Sequence, residues 1–319
     1  MATANQIKNL VKAYSSRNDD KFKTVVLQIA AHEAKLGHGA LAQELKKEAL
    51  DIGKGSTVIR MNPNQNSMLD YSMPSVELSE LIADDSVILK IKRILMEYRN
   101  RKKLNGCGLL NRRKILLEGS PGTGKTMTAA IVASELELPL FTVQVDKLVT
   151  KYMGETSVRL RQIFESMETD IGVYLFDEFD AIGADRTMDN EVGEMRRILN
   201  SFLQFLESDL SDSIIIAATN NQKILDRALF RRFDDVIHYD LPDDDQICRL
   251  YDIKINGYVQ KDIFGPELVE SSRGLSQAEL SRVCDDAIKE SILSGRDVSE
   301  TTIISLLNER HCVYQSMEA

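Results

Sequence analysis

The sequence predicts an α/β fold, in which a parallel five-stranded sheet is flanked by helices. Between residues 76 and 242, short apolar runs alternate with helical patterns, as in parallel sheets that are covered by helices. A glycine-rich loop joins the first apolar run of this region to a helix-forming stretch. Beyond residue 242 the pattern is helical only. These features indicate one large α/β domain followed by a smaller helical one.

The chain divides into four predicted parts. Residues 1–53 carry helical apolar stripes, such as Ile7, Leu10, Val11 and Tyr14, and we expect a small helical domain that binds a partner or substrate. A plain solvated helical surface explains that pattern equally well. Residues 54–75 are rich in Asn, Ser and Gly and predict a linker. Residues 76–242 form the predicted α/β domain and 243–319 a helical lid.

The five candidate strands are short apolar runs, at residues 114–117, 140–145, 172–176, 213–218 and 236–239. In the lid, Ser276 and Glu279 have the spacing of a capping box at a helix start. The helix that follows carries one apolar stripe, formed by Leu280, Val283, Cys284, Ala287 and Ile288. The stripe predicts that this helix buries one face in the lid.

Composition excludes several classes of protein. With 43% hydrophobic and 28% charged residues, the chain is expected to fold as a soluble globular protein. A net charge of −9 disfavours nucleic acid as the main partner. No apolar run approaches the roughly 18 residues that cross a membrane, and the first 16 residues have neither the apolar core nor the cleavage site expected of a secretion signal. We therefore expect a cytoplasmic protein without membrane contact, whose four separated cysteines stay reduced.

The strongest local signal is a phosphate-binding loop. Residues 119–126 match the pattern GxxxxGK[ST] between a predicted strand and a predicted helix. Glycines let several backbone N–H groups face one phosphate chain, and the helix N-terminus adds a positive dipole. We expect Lys125 to contact the β- and γ-phosphates and the Thr126 hydroxyl to hold Mg²⁺. The nucleotide-binding loop residues are Gly119, Ser120, Pro121, Gly122, Thr123, Gly124, Lys125 and Thr126.

Two carboxylates complete the predicted catalytic site. Asp177 and Glu178 follow the apolar run at 172–176, and open α/β sheets bind ligands at the carboxyl ends of their strands. Asp177 is expected to bind Mg²⁺ together with Thr126. Glu178 is expected to act as general base on the attacking water. The predicted ligands are therefore ATP and Mg²⁺.

Over residues 76–295, these motifs and those that follow resemble the AAA family (ATPases associated with various activities). The run ending in Asn220 resembles the family's sensor 1 strand, which implies that Asn220 contacts the γ-phosphate and orients the water. Arg231 and Arg232 match the family's arginine fingers, which reach the nucleotide of a neighbouring subunit. The resemblance thus implies a homo-oligomer, with six subunits as the family number. Which arginine matters more stays open.

Other stretches extend the resemblance. Tyr152, Met153 and Gly154 match a first pore loop that grips a polypeptide substrate, and residues 183–193 match a second one. Ala278 lies in a turn similar to the lid turn near the adenine and ribose. Two positions depart from the family pattern. Ser120 replaces a usual proline, and Gln277 replaces a common glycine.

As a whole, the chain looks most like small bacterial AAA ATPases that are paired with a subtilisin-like serine protease in anti-phage defence. That resemblance implies a ring-forming ATPase that remodels or unfolds proteins, with a separate protease as partner. Two alternatives stay open. One is a nucleotide-switched scaffold for a defence or signalling complex, which an intact Glu178 disfavours because a pure switch needs no general base. The other is a nucleic-acid motor, which the acidic composition disfavours.

Overall fold

The computed structural model describes residues 68–148, 155–179, 189–220, 230–258 and 265–318, with the backbone alone at 146, 189–197 and 313–318. Near the N-terminus it describes helical backbone at 24–27, 29, 30, 43 and 46, and the single position 38. The chain divides into two compact units, Met1–Gln65 and Asn66–Ala319. Most of the helical domain predicted for residues 1–53 lies outside the described residues.

A six-stranded sheet forms the centre of the larger unit. Its strands are β1 (Leu69–Ser72), β2 (Lys114–Gly119), β3 (Leu140–Val143), β4 (Val173–Phe176), β5 (Ile214–Thr219) and β6 (Asp235–Tyr239). Their spatial order is β1-β3-β4-β5-β2-β6. Along this order, every neighbouring pair after β1 is parallel, namely β3–β4, β4–β5, β5–β2 and β2–β6. This confirms the predicted five-stranded parallel sheet.

The first strand corrects the linker prediction. Within residues 54–75, β1 pairs antiparallel with β3 in the register Leu69 to Val143. Only Leu69 of this strand is buried, and the other three residues are exposed. A single buried side chain gives too little apolar pattern to identify a strand from the sequence. A smaller correction is that Val145, placed at the end of a predicted strand, begins a helix.

Helices cover both faces of the sheet. They are α1 (Asp85–Arg99), α2 (Arg101–Gly106), α3 (Lys125–Glu135), α4 (Val145–Leu148), α5 (Glu155–Thr169) and α6 (Asp189–Ser208). On one face, α1 and α3 bury aliphatic side chains against β2, β4 and β5. Phe164 of α5 stacks with Phe176 of β4, and Phe202 of α6 meets both rings edge to face, with ring centroids 4.9–6.1 Å apart. Both faces are therefore closed by apolar packing, as the continuous apolar strands require.

The lid consists of α7 (Asp244–Ile255), α8 (Pro266–Ser272), α9 (Gln277–Ser294) and α10 (Glu300–Glu318). The predicted capping box is present, since Ser276 and Glu279 each accept a hydrogen bond from the other's backbone N–H at the start of α9. Leu280, Val283 and Cys284 lie in the lid core. Ile82, from the segment before α1, lies in this lid core as well. One side chain thus joins the α/β domain to the lid.

None of the described helices is both long and apolar enough to cross a membrane.

Candidate functional site

Strand order brings the predicted motifs to one edge of the sheet. β2 leads into the phosphate loop, Asn220 directly follows β5, and Asp177 directly follows β4. Because β5 lies between β4 and β2 and all three run parallel, their carboxyl ends are neighbours. The three predicted motifs therefore meet where open α/β sheets place their ligands.

The glycines of the loop adopt conformations that other residues avoid. Gly119, Gly122 and Gly124 have φ of 148°, 80° and 102°. A Cβ on Gly119 would come within 2.2 Å of the Tyr239 carbonyl oxygen, so a side chain has no room there. Gly124 caps the N-terminus of α3, which begins at Lys125. The loop therefore presents the positive end of an eleven-residue helix to an incoming phosphate.

Lys125 is bound to its own loop. Its ammonium donates to the carbonyl oxygens of Gly119 and Ser120 at 2.8 and 2.7 Å, and the residue is only 7% exposed. The Thr123 hydroxyl donates to the same Ser120 carbonyl at 2.8 Å. These bonds hold the loop in a curled form around the ammonium. A phosphate chain bound here would meet a positive charge that is already in place.

Thr126 and Asp177 are in direct contact. The Thr126 hydroxyl donates to an Asp177 carboxylate oxygen at 2.6 Å, so the two predicted Mg²⁺ ligands lie side by side. Hydroxyl and carboxylate oxygens are ligands that Mg²⁺ prefers, and the ion commonly completes its shell with water and substrate phosphates. The residues present therefore fit a bound Mg²⁺.

Glu178 has an unusual backbone. Its φ is +50°, a left-handed conformation that is uncommon for residues other than glycine. Its N–H donates to the other Asp177 carboxylate oxygen at 2.9 Å, and the following Phe179 N–H donates to the Ala218 carbonyl of β5 at 2.8 Å. These bonds fix the turn and leave Glu178 exposed beside Asp177. Strained backbone of this kind concentrates at functional sites.

A cavity of about 660 Å³ contains this site. Ala278 donates its N–H to the Gly122 carbonyl at 3.0 Å, so α9 of the lid contacts the phosphate loop directly. The cavity is thus enclosed by both the α/β domain and the lid. Its lining includes loop residues from Pro121 onward, then Asp177, Glu178, Asn220, Leu81, Ile82, Leu250, Ile253, Gln277 and Ala278.

A buried hydrogen bond lies behind the loop. Thr128 of α3 and Tyr239 of β6 share a contact of 2.5 Å between their hydroxyl oxygens. Burial raises the pKa of Tyr239, so its hydroxyl stays protonated and can donate. Nothing in the sequence pattern pointed to this pair, because it joins residues that are 111 positions apart.

The two candidate fingers differ in their surroundings. The Arg232 guanidinium donates to the Glu207 carboxylate, on α6 of the same chain. Arg231 is exposed and, within the described ranges, forms no ion pair. Neither arginine lines the nucleotide cavity of its own chain. Sequence reasoning gave no hint of Glu207 as a partner.

Much of the two predicted pore loops lies outside the described residues. Tyr152, Met153 and Gly154 lie outside the described residues, as do positions 180–188 and 221–229. Of the second pore loop predicted at 183–193, the part from Asp189 onward is helical, because α6 begins there. That part of the loop prediction is wrong.

Comparison with known proteins gives concordant matches. The family model for the "ATPase family associated with various cellular activities (AAA)" matches residues 115–241. The AAA family ATPase y4kL of Sinorhizobium fredii is 33% identical over 306 residues, covering 93% of this chain and 91% of that protein. The proteasome-activating nucleotidase of Saccharolobus solfataricus is 30% identical, covering 92% of this chain and 78% of its own length.

Solved structures agree on the fold. The crystal structure of the FIGL-1 AAA domain superposes with a TM-score of 0.60 at 21% identity. The match covers 76% of this chain and 86% of that one. The superposed region is therefore larger than the part of this chain that contains the sheet.

Proposed function

Because the chain belongs to the AAA family and hydrolyses ATP, we propose that it works as a homo-oligomeric ring, with six subunits, that remodels or unfolds polypeptides. The observation that carries this proposal is Arg231. It is exposed, has no ion-pair partner among the described residues and lies away from its own cavity. A guanidinium in that position is suited to complete the site of a neighbouring subunit.

In this proposal, the catalytic roles are shared between the subunit that binds the nucleotide and its neighbour in the ring. Lys125 and the loop N–H groups bind the phosphates, and Thr126 with Asp177 would hold Mg²⁺, which neutralises phosphate charge when bound. Glu178 takes the proton of the attacking water, and Asn220 orients that water. Arg231 of the next subunit stabilises the charge that develops on the transferred phosphoryl group. Arg232, held by Glu207, positions the segment that carries Arg231.

One variant of Arg231 and one of Glu207, the partner of Arg232, test this division. We expect Arg231→Ala to lower kcat by roughly 10³-fold or more, the lower range for arginine fingers in phosphoryl-transfer enzymes. We expect Glu207→Gln to weaken activity far less, because it loosens only the positioning contact. Wild-type activity per chain should also rise with protein concentration. Full activity of a dilute monomer, or of Arg231→Ala, would contradict a shared site.

We propose that the first pore loop threads the substrate. In this proposal, the aromatic ring of Tyr152 would grip varied side chains, and Gly154 would give the loop backbone freedom. We expect Tyr152→Ala to retain ATPase activity and lose unfolding of a tagged fluorescent protein. Tyr152→Phe, which keeps the ring, should retain both. Normal unfolding by Tyr152→Ala would rule out threading through this residue.

A more specific form of the proposal has this ring feeding a separate subtilisin-like protease in anti-phage defence. Two observations support it. The sequence resembles small bacterial AAA ATPases that are paired with such a protease, and one relative is named a proteasome-activating nucleotidase. A Glu178→Gln ring, loaded with ATP, should then capture such a protease from a coexpressing strain. Cells expressing both proteins should resist phage, and cells with Glu178→Gln should not. Absence of capture and of protection would remove the protease and leave the remodelling proposal standing.

A further inference from the structure

Three leucines are exposed at the amino ends of the parallel strands, opposite the end of the sheet that carries the nucleotide cavity. Leu109 and Leu110 precede β2 and are 60% and 83% exposed, and Leu210 precedes β5 and is 86% exposed. Because β2 and β5 are neighbouring strands, the two loops lie side by side. We call these three residues the leucine edge. Isolated apolar side chains are common on protein surfaces, whereas a group of them marks a site of interaction.

Hydrogen bonds connect the leucine edge to the segment that carries Arg231. The Asp234 carboxylate accepts the backbone N–H of Arg113 at 2.9 Å. The Arg113 guanidinium in turn donates to the carboxylate and the carbonyl oxygen of Asp209, the residue directly before Leu210. Arg231, three residues before Asp234, therefore lies at the same end of the sheet as Leu210.

We infer, on the basis of the shared site proposed above, that the leucine edge packs against the nucleotide-binding face of a second copy of this chain. Arg231 reaches a neighbour's nucleotide only if the amino ends of its own strands face the carboxyl ends of the neighbour's strands, where that nucleotide binds. The leucine edge then lies on the facing surface. Head-to-tail contacts of this kind join two different surfaces, and their repetition closes a ring when the rotation per subunit fits.

The charges at the two ends of the sheet are complementary. At the amino end, Lys102 and Lys103 of α2, the helix that leads into the leucine edge, are exposed and, like Arg231, form no ion pair within the described ranges. At the carboxyl end, three exposed aspartates that follow β6 pair with no lysine or arginine among the described residues, namely Asp240, Asp243 and Asp245. Opposite charges favour contact between unlike ends over contact between two like ends. They therefore support a head-to-tail partner.

Aspartate variants of the leucine edge test this contact on the full chain. With ATP and Mg²⁺ present, Leu110→Asp combined with Leu210→Asp should raise the protein concentration at half assembly at least about tenfold, because apolar surface is no longer buried and two carboxylates meet an acidic face. Mass photometry and analytical ultracentrifugation measure assembly. Both side chains are exposed, so we expect an unchanged Tm.

The matched comparison is Leu109→Asp against Leu89→Asp. The two leucines are 60% and 63% exposed, but Leu89 lies on α1, which covers a face of the sheet and not the amino ends of its strands. Leu109→Asp should raise the concentration at half assembly at least about threefold, and Leu89→Asp should leave it unchanged. Equal weakening by both would overturn the assignment of the contact to the leucine edge.

A second variant tests the charges. Lys102→Glu combined with Lys103→Glu should raise the concentration at half assembly at least about threefold at low salt, because acidic side chains then face the aspartates of the neighbour. The change leaves the leucines in place, so a folding defect of one variant does not decide the result. If the leucine and lysine variants all assemble as the wild-type chain does, the inference is wrong.

ATPase measurements separate this contact from the shared site. The variant with Leu110→Asp and Leu210→Asp keeps Arg231, so its activity per chain should fall at low protein concentration and recover at high concentration. Arg231→Ala should stay inactive at both. If Arg231→Ala is inactive while the leucine and lysine variants assemble normally, the shared site stands and the leucine edge is not its contact. A wild-type chain that hydrolyses ATP at full rate as a monomer would remove both.

Discussion

Thr128 and Tyr239 provide a test of buried polar packing at the scale of single residues. Their hydroxyls are 2.5 Å apart. We expect Tyr239→Phe to lower the free energy of unfolding by about 1 kcal/mol, because the Thr128 hydroxyl loses this partner and keeps its bond to the Gly124 carbonyl oxygen. Adding Thr128→Val should cost less than the sum of the single changes, since both polar groups are then gone.

Urea titration measures these differences. Tyr71→Phe serves as control, because Tyr71 is 47% exposed on β1, and its change should stay within about 0.5 kcal/mol. Strict additivity of Tyr239→Phe and Thr128→Val would show that the two hydroxyls do not interact.

The cysteines give a second prediction at this scale. Burial raises the pKa of Cys284 to about 12, whereas Cys107 and Cys312 are exposed. The thiolate is the reactive form, so at pH 8 we expect Cys284 to react with iodoacetamide at least about a hundredfold more slowly than Cys107. Peptide mass spectrometry over time measures the rates. In urea, where burial is lost, the difference should disappear, and comparable rates in the folded chain would contradict the burial of Cys284.

The sequence identified residues whose roles follow from a local motif, and it missed those that depend on distant contacts. Lys125, Thr126, Asp177 and Glu178 stand in short patterns that have a fixed chemical meaning. The bond between Thr126 and Asp177 joins residues 51 positions apart, but both motifs pointed to one metal. No motif marks Glu207 as the partner of Arg232. Only the folded chain brings α6 to that arginine.

At the scale of elements, α9 is seated directly on the phosphate loop. A Cβ on Gly122 would lie 2.5 Å from the Ser276 hydroxyl oxygen and 3.1 Å from the Ala278 Cβ. Gly122→Ala must therefore push the lid away from the loop. We expect a loss of ADP affinity of at least about tenfold, because the cavity between loop and lid is distorted.

Gly108→Ala is the matched control for that change. Gly108 has φ +74°, close to the +80° of Gly122, but no atom lies within 4 Å of the position that a Cβ would take there. Both variants share the backbone strain, about 1 kcal/mol, and only one displaces the lid. Calorimetric ADP titration should find Gly108→Ala close to wild type. Equal affinity losses in the two variants would show that strain alone is responsible.

Strand predictions succeeded where burial makes a continuous apolar run. β4 and β5 are buried at every position, and both were located to within one residue at each end. β1 differs because Asp70, Tyr71 and Ser72 are exposed. An edge strand of this kind is held by its backbone hydrogen bonds to β3, which leave little trace in the choice of side chains.

At the scale of the larger unit, two apolar cores share one ligand site. One core lies between the sheet and its helices, and the other fills the lid and includes Ile82. Because both contribute walls to the cavity, a bound nucleotide should stabilise them together. At 100 times its dissociation constant, ADP adds about 2.7 kcal/mol, which should raise Tm by roughly 5–10 °C.

Differential scanning calorimetry with and without ADP measures this shift. Lys125→Met is the control, since it removes the ammonium that would meet the phosphates and should abolish the shift. An unchanged shift in that variant would place ADP elsewhere.

Gly119 carries a constraint that has nothing to do with catalysis. Its missing side chain is the space into which the Tyr239 carbonyl of the neighbouring strand fits. Any other amino acid at position 119 would place a Cβ against this carbonyl and displace β6 from the edge of the sheet. A descendant that had abandoned nucleotide turnover, drifting into a pseudoenzyme, could therefore lose its lysine and its acidic pair and still be obliged to keep this glycine.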